Sequence, residues 1–581
     1  MARSLVLANN AQSSFSRIDN TIYSISNHAQ DSCKLYRSAS TLIGNQRGRQ
    51  MPWLIQALAL IGCTIAGLLG GPALAQQNGG VLKFYHRDSP ASASIHEEAT
   101  ISSVGPFMGV FNNLVMFKQD EKQNRPDFIV PDLAESWSWN SDNTRLSFRL
   151  RQGVKWHDGQ PFTANDVKCT WDMLAGKAVD KLRLNPRKAW YRNLDEVKTD
   201  GDYAAIFVLK RPQPAFLMLL ASGMSPVYPC HVLSREMRSH PIGTGPFKFV
   251  VFKPNEYIRL EKNTEYWKPG RPYLDAIDWT IIPNRSTQAL AFVAGQFDMT
   301  FPYEVTVQMM RDIEAQAPQA ICEVTPTPVA INMLVNRDAP PFNDPEIRRA
   351  MQLTIDRKSF IDIIAEGQGD IGGAMQPTPA GLWGLPPEIL KTLPGYSLDV
   401  AASRDEARKL MEEHGYGPNH RLPVRVATRN IAQYRDPAVI LIDQMKQIYI
   451  DGELDIVETA NWFPKIARKD FMLGANLSGS GVDDPDAYFF EHYACGSERN
   501  YTNYCNPELE KMYEQQSMER DQEKRKKLVW EIDRRLQEDA ARPMIYNYRL
   551  ATCRYPRVHG ITVMVNSLFN GWRFEDAWLE H

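Results

Sequence analysis

Asp483-Asp484-Pro485-Asp486 gathers more chemically capable side chains than any other short stretch of this sequence. Three carboxylates around a proline turn are expensive to bury without partners. Such a group has two readings. Asp483 or Asp484 lines a cleft and receives an ammonium or a hydroxyl-rich ligand, or Asp484 and Asp486 cap the helix expected over 487–492. Catalytic arrangements are hard to assemble elsewhere. Ser478-Gly479-Ser480-Gly481 lacks the spacing of a nucleophile elbow. His157 sits inside a turn, His157-Asp158-Gly159, where a structural role is expected. Neither CxxC nor HExxH occurs, so zinc-ribbon and zincin chemistry has no support, and no metal or other cofactor is expected. A net charge of −2 and the lack of a basic–aromatic stripe argue against nucleic acid as a partner.

Cys495 and Cys505 bracket a short polar loop. They are either a disulfide, stabilising by roughly 2–3 kcal/mol on the chain-entropy estimate, or two free thiols. Cys169, Cys230, Cys322 and Cys553 allow several pairings that sequence does not choose between.

The elements that must position these groups alternate between strands and helices with no fixed repeat. Val81 to Tyr85 reads as an opening strand, and Pro106 to Phe117 as a helix burying Phe107, Val110, Phe111 and Leu114. Leu146, Phe148 and Leu150 alternate with polar residues, which makes a half-buried strand. The turn residues 140–143 put Trp137 and Trp139 on its hairpin partner. Val154 to Trp156 reads as a short strand. Thr163 and Asp166 form an approximate capping box ahead of Val167, Trp171 and Leu174. At 581 residues the chain exceeds what one ordinary core serves. Arg47 and Arg49 precede an apolar stretch, Trp53 to Leu69, and Ala73-Leu74-Ala75 fits a signal-peptidase site, so a mature chain starting near Gln76 is expected. An uncleaved anchor and lipidation at Cys63 are the competing readings.

From Leu133-Ala134-Glu135-Ser136-Trp137 through Gly153-Val154-Lys155-Trp156-His157-Asp158-Gly159 to Pro161-Phe162-Thr163-Ala164 and Asp166-Val167, the chain resembles the family 5 extracytoplasmic solute-binding proteins of ABC importers. Gly243-Thr244-Gly245-Pro246-Phe247, Pro340-Pro341-Phe342, Asp356-Arg357 and Gly415-Tyr416 extend the likeness over nearly the whole mature chain. The resemblance implies an α/β, two-lobed periplasmic binding protein fold with an inserted subdomain. It places residues 76–112, 241–325 and 546–581 in a discontinuous first lobe, 113–240 in the subdomain and 326–545 in the second lobe, after an extension and signal over 1–75. It implies a periplasmic, non-catalytic receptor that captures a peptide-like, opine-like or oligosaccharide solute and hands it to the transmembrane subunits of an ABC permease. Trp383 falls where the family has a loop near the cleft, giving a stacking wall or lobe packing. Arg429 and Tyr434 fall on a junction that faces ligand in relatives; Arg429 would hold a carboxylate bidentately or form a surface ion pair. Asn332 and Asn112 are weaker polar candidates. Dipeptide-binding relatives place the carboxylate that pairs with the peptide amine at the position of Gly481, a departure that argues against an ordinary free-amine peptide. Some of them also carry a cysteine pair spaced like Cys495 and Cys505. A secreted hydrolase, or a chaperone-like protein without a ligand, are the alternative readings on the same scaffold.

Overall fold

Three sheets organise the chain in a computed structural model that describes residues 76–581; the expected export segment, with Cys63, lies outside the described residues. The first sheet orders Val81–His86, Ala276–Ile281, Tyr257–Lys262 and Phe247–Lys253, with the opening strand parallel to its neighbour and the rest antiparallel. Its buried face is aromatic: Phe84 stacks on Trp279 with ring centroids 4.1 Å apart.

The second sheet is antiparallel, in the order Ala134–Trp139, Arg145–Leu150, Ala204–Leu209, Leu194–Thr199. The predicted hairpin forms, with Trp137 opposite Phe148 and Trp139 opposite Leu146. Asn143 takes a left-handed φ of 56° in the turn, a conformation asparagine tolerates. Leu146, Phe148 and Leu150 are buried, as their alternation demands. Helix Ala164–Leu174 carries the Thr163–Asp166 capping box and lays Trp171 edge-on against Phe207.

The third sheet has six strands, ordered Gly369–Asp370, Met544–Arg554, Ile321–Val335, Leu473–Ser478, Leu422–Arg429, Ile450–Val457. One of its two long central strands, Met544–Arg554, also reaches the first sheet, because Met299 bridges both Phe84 and Arg554. The ladder between them shifts register between Pro326 and Ala330, where Pro326 and Pro328 have no amide hydrogen to give. The result is a two-lobed α/β architecture with an inserted four-stranded subdomain. Cys495–Cys505 is a disulfide, and Cys169–Cys230 and Cys322–Cys553 are the other two. Among the described residues no helix is long and apolar enough to cross a membrane.

Two expectations fail locally. The helix predicted over 106–117 is instead Ile101–Phe107, a single tight turn Met108–Val110, and strand Val115–Phe117. The cause is tertiary. Gly245 donates its amide to the Val110 carbonyl at 2.9 Å, taking the acceptor that a continuing helix would use. A Cβ at Gly245 would lie 2.4 Å from the Val110 carbonyl carbon, so only glycine permits this approach. Val154 to Trp156 makes no extended strand; it contributes one bridge, between Lys155 and Pro161. His157 serves this same junction, with its two ring nitrogens set against Gly243 N–H and the Gly245 carbonyl.

Gly245→Ala is expected to destabilise the fold by roughly 1–3 kcal/mol, the range for forced overpacking, in guanidinium unfolding. Gly417→Ala, where an added Cβ meets nothing within 4 Å, should change stability by less than about 0.5 kcal/mol.

Candidate functional site

A narrow chamber with a cavity volume of about 60 Å³ separates the first-sheet side of the molecule from the six-stranded sheet. A second space of about 40 Å³ adjoins it, sharing Ala99, Phe463 and Arg499. Tyr303, Tyr434, Phe463, Tyr548 and Phe569 give the larger space aromatic walls. Its charged lining consists of Arg87, Arg429 and Arg499, with no aspartate or glutamate.

Arg429 is placed by strand Leu422–Arg429, whose last residue it is, just before helix Ala432–Lys446. It is fully buried. One terminal nitrogen forms an ion pair with Asp88, which follows the opening strand of the first sheet. Its Nε donates to Thr459 Oγ1 at 2.8 Å, and Thr459 donates in turn to Asp88 at 2.9 Å. Burial works against the guanidinium charge, but Asp88 and Tyr434 together offset it and hold the pKa above the ordinary arginine value. Arg87 Nη1 pairs with Glu304 at 3.0 Å.

Several polar atoms of the lining remain unmatched. Arg429 Nη1, Arg87 Nε and both amide atoms of Gln433 are buried and have no partner within the protein. A buried donor left in that state costs about 1–3 kcal/mol.

Of the residues singled out from sequence, Arg429 and Tyr434 line the chamber, and Asp483, Asp484, Trp383 and Asn332 do not. Arg429 is in an ion pair, though a buried one that joins the two sides of the molecule. Asp484 caps helix Pro485–His492 through the Asp486 amide and takes both ends of the Arg525 guanidinium, at 2.8 and 2.7 Å. Asp486 receives Gln213, Gln516 and Ser517. Asp483 Oδ2 accepts from Leu382 N–H and Asn566 Nδ2, and its carbonyl accepts from Trp383 Nε1. Trp383 also lies 4.8 Å from the Arg525 guanidinium. The acidic turn therefore ties a loop, a helix and the subdomain together. Asn332 accepts from Arg542 Nε at 2.7 Å inside the second lobe, and Asn112 donates to Asp132 at 3.0 Å. At Gly481 a Cβ would meet the Trp190 ring at 2.5 Å, so the space of a side chain there is already taken. Asp88, Arg87 and Gln433 were missed. An Arg-Asp pair at the end of the first strand was the available signal for two of them; a lone glutamine in an amphipathic helix has none.

Two lobes that bury a chamber lined by unmatched donors and aromatic rings define a solute receptor of the two-lobed binding-protein class. The model of the bacterial extracellular solute-binding proteins, family 5, matches residues 129–500, and the chain belongs to that family. It is 25% identical over 455 residues to the probable di/tripeptide-binding protein 5 of Pseudomonas aeruginosa, covering 71% of this chain and 80% of that one. It is 24% identical over 479 residues to the glutathione-binding protein GsiB of Pectobacterium atrosepticum, covering 80% and 88%. Among solved structures, the periplasmic binding protein DppA from Helicobacter pylori in complex with peptide STSA superposes with a TM-score of 0.76 at 22% identity, over 87% of this chain and 99% of that one. AgaA in complex with agropinic acid, from A. tumefaciens R10, gives 0.75 at 22%, over 86% and 99%.

The Asp483 carboxyl is pushed up to about 7 by burial, from 3.8. Between those values the folded chain keeps a proton that the unfolded chain has released. Stability therefore falls as pH rises from about 4 to about 7 and levels off above. An asparagine at this position would retain both incoming hydrogen bonds through its carbonyl oxygen and would not titrate. Asp483→Asn should gain on the wild type by a few kcal/mol between pH 4 and pH 8 in urea unfolding; parallel pH curves would remove Asp483 as the cause.

Proposed function

We propose that this chain is the solute-binding component of an ABC importer, and that its guest is a small solute bearing a carboxylate or comparable acceptor and no free ammonium. The observation that carries this reading is the chamber lining. It presents Arg429 Nη1, Arg87 Nε and the Gln433 amide without partners, beside aromatic walls and with no carboxylate of its own; Glu97 and Glu98 of the adjoining space are held by Arg238 and Arg183, and Glu498 lines that space rather than this one. Gly481 adds to it, since Trp190 fills the position where peptide-binding relatives carry their amine-binding acid. An N-substituted amino acid of the opine type, or a peptide with a blocked amine, matches these groups. The neighbour that holds agropinic acid supports this chemistry, whereas the relatives named for di/tripeptides and glutathione are named for guests with a free amine, which is the contrast that the test addresses. An oligosaccharide would fill the aromatic walls but would offer Arg429 no charge.

We read the protein as a receptor without bond chemistry. Its lining supplies guanidinium, amide, hydroxyl and aromatic groups, and neither imidazole nor carboxylate to act as a base. The partition of the lobes drawn from sequence is kept, with the hinge at the register shift between Pro326 and Ala330. Guest contacts from both lobes favour the closed form, which the permease then recognises. Export to the periplasm by the segment over 53–75 completes the proposal.

The test is a thermal-shift panel pairing N-acylated or N-alkylated amino acids and dipeptides with their free-amine parents. The blocked compounds should stabilise the protein, by roughly 2.7 kcal/mol at a hundredfold excess over Kd, while their parents do not. Gln433→Leu, which breaks no bond within the protein, should weaken binding about tenfold. Preferential binding of free-amine peptides, with Gln433→Leu unaffected, would overturn the assignment.

A further inference from the structure

Arg542 stands apart from the other arginines of the interior. Seven more arginines are buried among the described residues: 187, 348, 357, 429, 499, 525 and 573. Each gives a terminal guanidinium nitrogen to a carboxylate or a carbonyl. Arg542 is 2% exposed. Its Nε donates to Asn332 Oδ1, but Nη1 and Nη2 meet no acceptor. No carboxylate of the described residues forms an ion pair with it.

The surroundings repeat the deficit. Asn476 sits opposite Asn332 in the register of the neighbouring strand, 1% exposed, with neither amide atom bonded. The Tyr493 hydroxyl is equally buried and has no partner. The Arg542 guanidinium lies 5.8 Å from the Tyr501 ring, and the carboxylate that acts on Tyr493, Asp533, is engaged by the Ala374 and Met375 amides and by Gln537. Burial, and then the Arg499 and Arg542 guanidinium groups, keep the imidazole of His492 neutral. Burial holds the Tyr493 phenol protonated. Glu491 is committed to Arg499. The Arg542 guanidinium is therefore buried without a paired counter-ion, which is costly for a protein to maintain.

We infer that a small monovalent anion of the halide class binds within the second lobe, held by the Arg542 guanidinium fork, the Asn476 amide and the Tyr493 hydroxyl. The stoichiometry follows from the charge. One halide cancels one guanidinium, a divalent oxyanion would overshoot, and water would satisfy the donors while leaving the charge. The site is distinct from the chamber, since neither Arg542, Asn476 nor Tyr493 lines it. Because all its groups are buried, the anion enters as the lobe folds or opens, and it acts as a structural counter-ion.

The test uses the full exported chain. Sodium chloride is exchanged for sodium gluconate at constant ionic strength while Tm is followed, and crystals soaked in bromide are measured for anomalous scattering. Expected are a Tm that rises with chloride along a single-site curve, a bromide peak at the Arg542 fork, and loss of the chloride response in Arg542→Met. If that variant does not fold, the wild-type measurements decide. A Tm indifferent to chloride, an ordered water in place of bromide, a chloride response without a peak, or a response that survives in Arg542→Met would each overturn the site.

Discussion

The three-membered link of Arg429, Asp88 and Thr459 is the interaction on which the closed molecule depends. Arg429 and Thr459 come from the six-stranded sheet side, and Asp88 from the end of the first strand of the chain. A fully buried guanidinium is tolerable only with its counter-ion in place, and removing one member of such a pair costs about 3–5 kcal/mol. Here the counter-ion arrives from the opposite lobe. Under the proposed lobe closure, charge compensation is conditional on the lobes meeting, and a pair that would be weak evidence for stability within one lobe serves as a sensor of it.

Other contacts cross at the same junction. Ser222 and Ser567 both donate to the Gly481 carbonyl, Asn566 donates to Asp483, and Trp190 Nε1 donates to Glu491. All are side-chain bonds to short, buried acceptors, and each breaks on opening without disturbing a strand ladder. The rigid parts are the sheets and the soft part is this seam. Under the proposed function, guest binding in the chamber acts on the same equilibrium, because a ligand shifts it only through contacts that exist in the closed form.

Sequence revealed what is local. The 134–150 hairpin and the Thr163–Asp166 cap are set by alternation, turn chemistry and a spacing of three, and they form as read. The Cys495–Cys505 bridge closes ten positions and was legible; Cys322–Cys553, 231 positions apart, is fixed only by strand register. The helix expected over 106–117 was overruled by two glycines more than a hundred residues away. At the acidic turn the capping role was visible, but Arg525, Gln213 and Asn566, which consume its carboxylates, come from distant elements and left no local mark. Gln433 is distinguished only by having nothing to bond to, a property that exists in three dimensions alone.

Everything here rests on closure being tied to the Asp88–Arg429 contact. The direct measurement is an interlobe distance distribution by pulsed electron resonance, with spin labels at exposed positions on the two lobes, in the wild type and in Asp88→Ala, each without ligand. The account predicts a population shift in Asp88→Ala towards longer distances, with circular dichroism unchanged. Identical distributions in the two proteins would contradict it.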